Sequence, residues 1–222
     1  NRILTDHLSA FLFCPTVQAV ENLKKEGIQK NVFHSGDVMF DAALLAASLS
    51  DKHNLILKKT GLQKGAYFLA TLHRAENTDN EIRLKSILSA LNELSVQKPV
   101  VLPIHPRTIK KIRAFGLESL TPNLKIIDPV SFLEMVALEK NAALILTDSG
   151  GVQKEAYFHG IPCITLRDET EWIETIETGW NILAGCDVNK ILKACQKRSK
   201  GTPILEYGTG NASQKIINTL NP

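Results

Sequence analysis

The chain has 222 residues, of which 44% are hydrophobic, 22% charged and 6% aromatic, a composition that excludes disordered, collagenous and disulfide-scaffold proteins. Its 26 basic and 23 acidic side chains are spread along the sequence for a net charge of +3, so no nucleic-acid partner is expected. The longest purely apolar runs reach about six residues, far below the ~18 to 20 that span a bilayer, and the expectation is a soluble, cytoplasmic protein with no membrane span.

The first sixty residues read as two βα units: a strand at 11–14, a helix at 17–25, a strand at 32–35 and a helix at 38–49. Two such units cannot close a core alone, so residues 1–58 are expected to be the tail of an N-terminal Rossmann-like domain. The chain opens at Asn1 without a methionine or a signal-peptide pattern, which suggests that its true start lies upstream. Polar, turn-rich residues 58–65 read as a linker.

From residue 66 onward short apolar runs alternate with helical periodicity, the pattern of parallel strands joined by crossover helices. Strands are expected at 66–72, 100–104, 124–127, 143–147, 163–166 and 181–183, giving an α/β fold with one doubly wound parallel sheet over residues 59–222. Leu84, Ile87, Leu88 and Leu91, and again Val188, Ile191, Leu192 and Cys195, recur at the spacing of a buried helix face. Thr78 with Glu81 and Ser131 with Glu134 read as capping boxes that open helices. The four cysteines, Cys14, Cys163, Cys186 and Cys195, are widely spaced and lack zinc-ligand spacing, so reduced, mostly buried thiols are expected and no metal.

The sharpest chemical signal is Asp148-Ser149-Gly150-Gly151, where a buried strand turns tightly into a helix. Glycines let a phosphate oxygen approach the backbone, the Ser149 hydroxyl adds a donor, and the N–H groups with the helix dipole favour an anion. Glu155, one turn beyond Gly151, can accept from both hydroxyls of a ribose. The bland alternative is an ordinary strand-to-helix turn with a solvated glutamate. A second set, His73-Arg74-Ala75-Glu76-Asn77, lies at the end of the first strand of the same sheet, where an imidazole can donate to phosphate or exchange a proton and a guanidinium forks onto phosphate. His105 ends another strand as a supporting residue. His7, His34, His53 and His159 read as surface or satisfied polar groups, and Trp172 and Trp180 as packing residues.

These motifs, taken with residues 103–107, Gly160-Ile161-Pro162 and Leu166-Arg167-Asp168-Glu169-Thr170-Glu171-Trp172 in this order, resemble the non-hydrolysing UDP-N-acetylglucosamine 2-epimerases over essentially the whole chain. The resemblance implies the C-terminal half of a GT-B-type two-domain enzyme, with a UDP-sugar as substrate, no cofactor, and a homodimer when complete. It places uracil and ribose contacts on Val130, Met135 and Glu155, diphosphate contacts on Ser149, Gly150 and Gly151, and the active-site histidine on His73. It further implies elimination of UDP with loss of the C2 proton and re-addition from the other face. The family's acidic catalytic residues lie upstream of Asn1, so the chain alone is expected to bind UDP weakly and turn over no sugar. Trp172 stands where many members carry arginine followed by proline. That departure also resembles epimerases of UDP-2,3-diacetamido-glucuronic acid. A UDP-sugar glycosyltransferase and a non-catalytic UDP-binding module are the remaining alternatives.

Overall fold

The computed structural model describes residues 1–52 and 55–221; His53 lies outside them. The described strands are β1 (Leu12–Cys14), β2 (Val32–His34), β3 (Phe68–Thr71), β4 (Val100–Pro103), β5 (Lys125–Ile127), β6 (Leu144–Thr147), β7 (Cys163–Thr165) and β8 (Asn181–Leu183). The chain forms two compact units, one made of Asn1–Leu45 with the chain's end from Pro203, the other of Ala46–Thr202.

In the first unit β1 and β2 pair in parallel, Leu12 opposite Val32 and Cys14 opposite His34. The helix Val17–Lys25 begins where the Thr16 hydroxyl accepts from the Ala19 amide at 3.2 Å, supplying one of the acceptors a helix start lacks. The C-terminal segment, expected within residues 59–222, packs here instead. The Asp41 carboxylate accepts from the Ala212 and Ser213 amides at 3.1 and 2.8 Å, at the start of the helix Ala212–Leu220. The Asp37 amide donates to Tyr207 O, and the Val17 amide to the Glu206 carboxylate. Pairings 171 residues apart leave no trace in local periodicity.

The second unit holds the expected sheet. Its six strands are all parallel in the order β5-β4-β3-β6-β7-β8, so the chain runs outward in one direction from β3 and in the other from β6. Strand alternation sorts the core onto the two faces. Phe68, Ala70, Leu72, Leu144 and Leu146 point to one face, joined by Leu84, Ile87, Leu88 and Leu91 from the helix Glu81–Leu94. Tyr67, Leu69, Val101 and Ile145 point to the other, with Ala137 and Leu138 of the helix Phe132–Asn141. Each fully buried leucine or isoleucine contributes about 1.5–3 kcal/mol relative to exposure. Ile191 and Cys195 are buried as expected, with Val188 and Leu192 packed at the core's margin.

Two local expectations change. The Ser131 and Glu134 capping box forms, but Thr78 caps nothing: its hydroxyl donates back to Arg74 O, and Asn80 caps the next helix by accepting from the Arg83 amide at 3.1 Å. Asparagine two residues on outcompetes the threonine because Thr78 ends a short helix of its own, Ala75–Thr78. The expected linker likewise begins inside a helix, Leu55–Thr60, because Ile56 and Leu57 anchor it to the core beneath Lys58 and Lys59.

Candidate functional site

In an open α/β sheet the crevice lies at the carboxyl ends of the strands where the order reverses, here between β3 and β6. Thr71 and Thr147 are partners in register at those ends, and their hydroxyls are hydrogen-bonded to each other. His73 and Ser149 each follow two residues beyond this matched pair. Register alone therefore brings the two sequence motifs together.

Asp148, for which sequence reasoning supplied no role, organises the junction. It is fully buried, and its carboxylate accepts from the His73 amide at 3.1 Å, the Arg74 amide at 3.0 Å and Asn77 Nδ2 at 3.2 Å. His73 Nδ1 lies 3.3 Å from the other carboxylate oxygen. One side chain at the end of β6 thus folds the loop after β3. Asn77 also donates to Leu166 O and accepts from Arg83 Nε, tying the loop to the end of β7.

The helix Gly150–Phe158 starts at this point. The Ser149 hydroxyl accepts from the Val152 amide at 3.5 Å as its cap, and the Ser149 amide donates to Thr147 Oγ1 at 2.9 Å. Ser149 therefore serves the helix with its lone pair and keeps its hydroxyl proton to offer. The amides of Gly150 and Gly151 come too early in the helix to have intrahelical acceptors, and such a terminus attracts anions. A methyl group added at Gly150 would stand 3.3 Å from Trp172 Nε1, 3.6 Å from Glu171 Oε2 and 3.8 Å from Arg74 Nη2. Only the Trp172 distance is tighter than ordinary van der Waals contact, so a methyl group here asks the indole to give by a few tenths of an ångström and a larger side chain asks for more.

The loop carrying Glu171 and Trp172 is pinned from two sides. Arg167, almost wholly buried, donates to Glu76 at 3.0 Å and to Glu171 at 3.1 Å. The Thr170 hydroxyl donates to Gln153 Oε1 at 2.6 Å. Burial alone would raise the Glu171 carboxyl, but hydrogen bonds from its own backbone and Arg167, with the charges of Arg167 and Arg74, hold it below the ordinary range. The Lys154 ammonium sits 4.0 Å above the Trp172 ring, a cation on an aromatic face. Trp172 was expected only to pack; it does so directly on the glycine turn.

Beside the turn lies a cleft of about 290 Å³ walled by His73, His105, Val130, Met135 and Val152, with Thr71 and Pro103 among its other lining residues. It gathers three of the residues expected from the sequence, His73, Val130 and Met135. His105 contributes its ring to the wall while its Nδ1 accepts from the Arg107 amide to cap the helix Pro106–Ala114. Ser149, Gly150, Gly151, Arg74 and Glu155 are not lining residues of this cleft; the first four cluster at the turn and Glu155 stands one helical turn further on.

Glu155 leads to a buried charge cluster that the sequence did not reveal. Burial raises its carboxyl, offset in part by Lys154. Glu139, 1% exposed and without a hydrogen-bond partner for either oxygen among the described residues, is raised well above the ordinary range by burial and by Glu155. His159 Nε2 lies 3.7 Å from Glu139, and burial, with the charge of Lys140, lowers it to about 4. His159 is therefore neither a surface residue nor a satisfied one, because the turn after its helix folds it inward against Glu139. Burial thus disfavours the charged form of both partners.

Opposite pH limbs follow. For His159 the folded value falls from 6.5 to about 4, so stability present above about pH 6.5 is lost as pH falls toward 4, by up to about 3 kcal/mol. For Glu139 the folded value is raised, so stability present below its ordinary 4.5 is lost as pH climbs through the raised value. In thermal melts across this range, His159→Gln should flatten the acid limb and Glu139→Gln the alkaline one. Unchanged limbs in both variants would show that the cluster titrates without cost.

A parallel sheet wound both ways from β3 and β6, with a glycine turn and a cleft at its reversal point, is the architecture of a Rossmann-like domain of GT-B type. The model of the UDP-N-acetylglucosamine 2-epimerase family matches residues 1–221, and the chain belongs to that family. A UDP-N-acetylglucosamine 2-epimerase homolog of Methanococcus maripaludis is 49% identical over 99% of the chain and 63% of its own length. The UDP-2,3-diacetamido-2,3-dideoxy-D-glucuronate 2-epimerase of Pseudomonas aeruginosa is 46% identical over 99% of the chain and 62% of its own length. Among solved structures, the UDP-GlcNAc 2-epimerase of Methanocaldococcus jannaschii in complex with UDP-GlcNAc and UDP matches with a TM-score of 0.89 at 42% identity, over 100% of this chain and 63% of that one. The chain thus spans somewhat under two thirds of the length of these relatives. No helix among the described residues is long and apolar enough to cross a membrane.

Proposed function

We propose that the chain supplies the nucleotide-holding part of a UDP-N-acetylglucosamine 2-epimerase, which interconverts UDP-GlcNAc and UDP-ManNAc in the cytoplasm by expelling and re-adding UDP. The observation that carries this reading is the convergence of the Ser149-Gly150-Gly151 turn, Arg74 and His73 on one reversal point beside a cleft walled by Val130 and Met135. In it the uracil lies against Val130 and Met135, Glu155 takes the ribose hydroxyls, and the diphosphate meets the Gly150 and Gly151 amides, the Ser149 hydroxyl and Arg74. A departing diphosphate needs donors fixed in advance, and His73 at the cleft wall supplies one. Removal and return of the C2 proton call for carboxylates on two faces of the sugar, which the family resemblance places outside these 222 residues, and the working unit is a homodimer.

A second reading keeps the same site with UDP-2,3-diacetamido-glucuronic acid as substrate. The Pseudomonas aeruginosa relative at 46% identity favours it, as does Trp172 on the glycine turn, in the place where many family members carry arginine followed by proline. Titration calorimetry with UDP and with each of the two UDP-sugars separates the readings by affinity. In deuterated water the 222-residue chain should bind UDP yet place no deuterium at C2 of either sugar. Exchange catalysed by these residues alone would show that the proton chemistry resides in this chain.

A further inference from the structure

The geometry points to Asp148 as a positioning residue that fixes the His73 ring with its Nδ1 proton toward the protein and Nε2 toward the cleft. Asp148 is fully buried, and three N–H donors already converge on its carboxylate: the His73 and Arg74 amides and Asn77 Nδ2. That concentration of donors keeps the group an acceptor. His73 Nδ1 lies 3.3 Å from Oδ1. A ring nitrogen presenting its lone pair to a carboxylate oxygen at that distance is repelled, whereas one carrying a proton is attracted. Both ring forms that satisfy the contact, the neutral Nδ1–H tautomer and the imidazolium, leave Nε2 on the far side. The side chain is half exposed there and forms part of the cleft wall.

The same carboxylate that faces the ring also binds the amides of His73 and Arg74, so the backbone from which the ring projects is held by the group that its Nδ1 faces. Asp148 therefore sets two things at once, the path of the loop and the face of the imidazole that meets a ligand. The inference rests on the nucleotide reading only for what Nε2 would touch, a diphosphate oxygen. The ring's tautomer belongs to the protein alone.

The test is nitrogen NMR on the chain labelled at its six histidines, with His73 assigned by its loss in His73→Gln. In the unsubstituted chain, neutral His73 should carry its proton on Nδ1. In Asp148→Asn, which keeps an acceptor for the loop amides, that preference should disappear or reverse. A purely structural aspartate would shift the melting temperature without moving the tautomer. UDP affinity should fall about tenfold in Asp148→Asn and in His73→Gln, with little further loss in the double variant, as expected of groups acting as a unit. An Nε2–H tautomer in the unsubstituted chain overturns the proposal even if Asp148→Asn fails to fold. UDP binding unaffected by either substitution, with the Nδ1–H tautomer intact, would remove the nucleotide reading and leave the positioning role standing.

Discussion

Asp148→Ala should lower the stability of the second unit by about 3–5 kcal/mol, a large part of the roughly 5–15 kcal/mol that holds a typical domain folded. The carboxylate is fully buried and accepts from three protein N–H groups. Truncation leaves the amides of His73 and Arg74 and one of the two Asn77 Nδ2 protons without an acceptor, each at about 1–3 kcal/mol. Relief from burying a charge offsets part of that sum. Asn77 also bridges to Leu166 O and Arg83, so the disturbance reaches the end of β7. Urea denaturation measures the change directly. A loss below about 1 kcal/mol would mean that the loop after β3 is held by its remaining contacts, Thr108 to Leu72 O among them.

Gly150→Val should leave the chain folded and reduce UDP affinity about a hundredfold. Gly150 does not have a positive φ, so the backbone accepts a side chain. The space does not: the first carbon alone would stand 3.3 Å from Trp172 Nε1, and two further methyl groups would drive against Trp172, Glu171 and Arg74. The loop of Glu171 and Trp172 must then shift, although Arg167 and Gln153 hold it. A methyl group would also stand over the amides on which the diphosphate is proposed to rest. Calorimetry with UDP, alongside circular dichroism to confirm the fold, reads the effect. Undiminished affinity would place the diphosphate away from this turn.

The sheet was legible because each strand is a short apolar run and each crossover helix carries an apolar stripe. Leu84, Ile87, Leu88 and Leu91 are all fully buried, as their spacing requires. The meeting of His73 with Ser149 was legible for the same reason, since a doubly wound order brings two strand ends together. What stayed hidden depends on contacts between distant positions. Asp148 was visible as part of a motif, but its role needs the loop after β3 to lie within reach. Glu139 lies in the helix Phe132–Asn141 and His159, twenty residues on, just past the end of the helix Gly150–Phe158, and nothing local marks them as a buried pair. The C-terminal helix joins the first unit through Asp41, a capping partner supplied from far away in sequence. The boundary near residue 58 failed to anticipate this because domain limits read from composition assume a continuous segment.

The most direct measurement is a crystal structure of the chain soaked with UDP. The account predicts diphosphate oxygens on the Gly150 and Gly151 amides, uracil between Val130 and Met135, and His73 Nε2 turned toward the phosphates. Nucleotide density in any other place, or an imidazole facing away from it, would contradict the account.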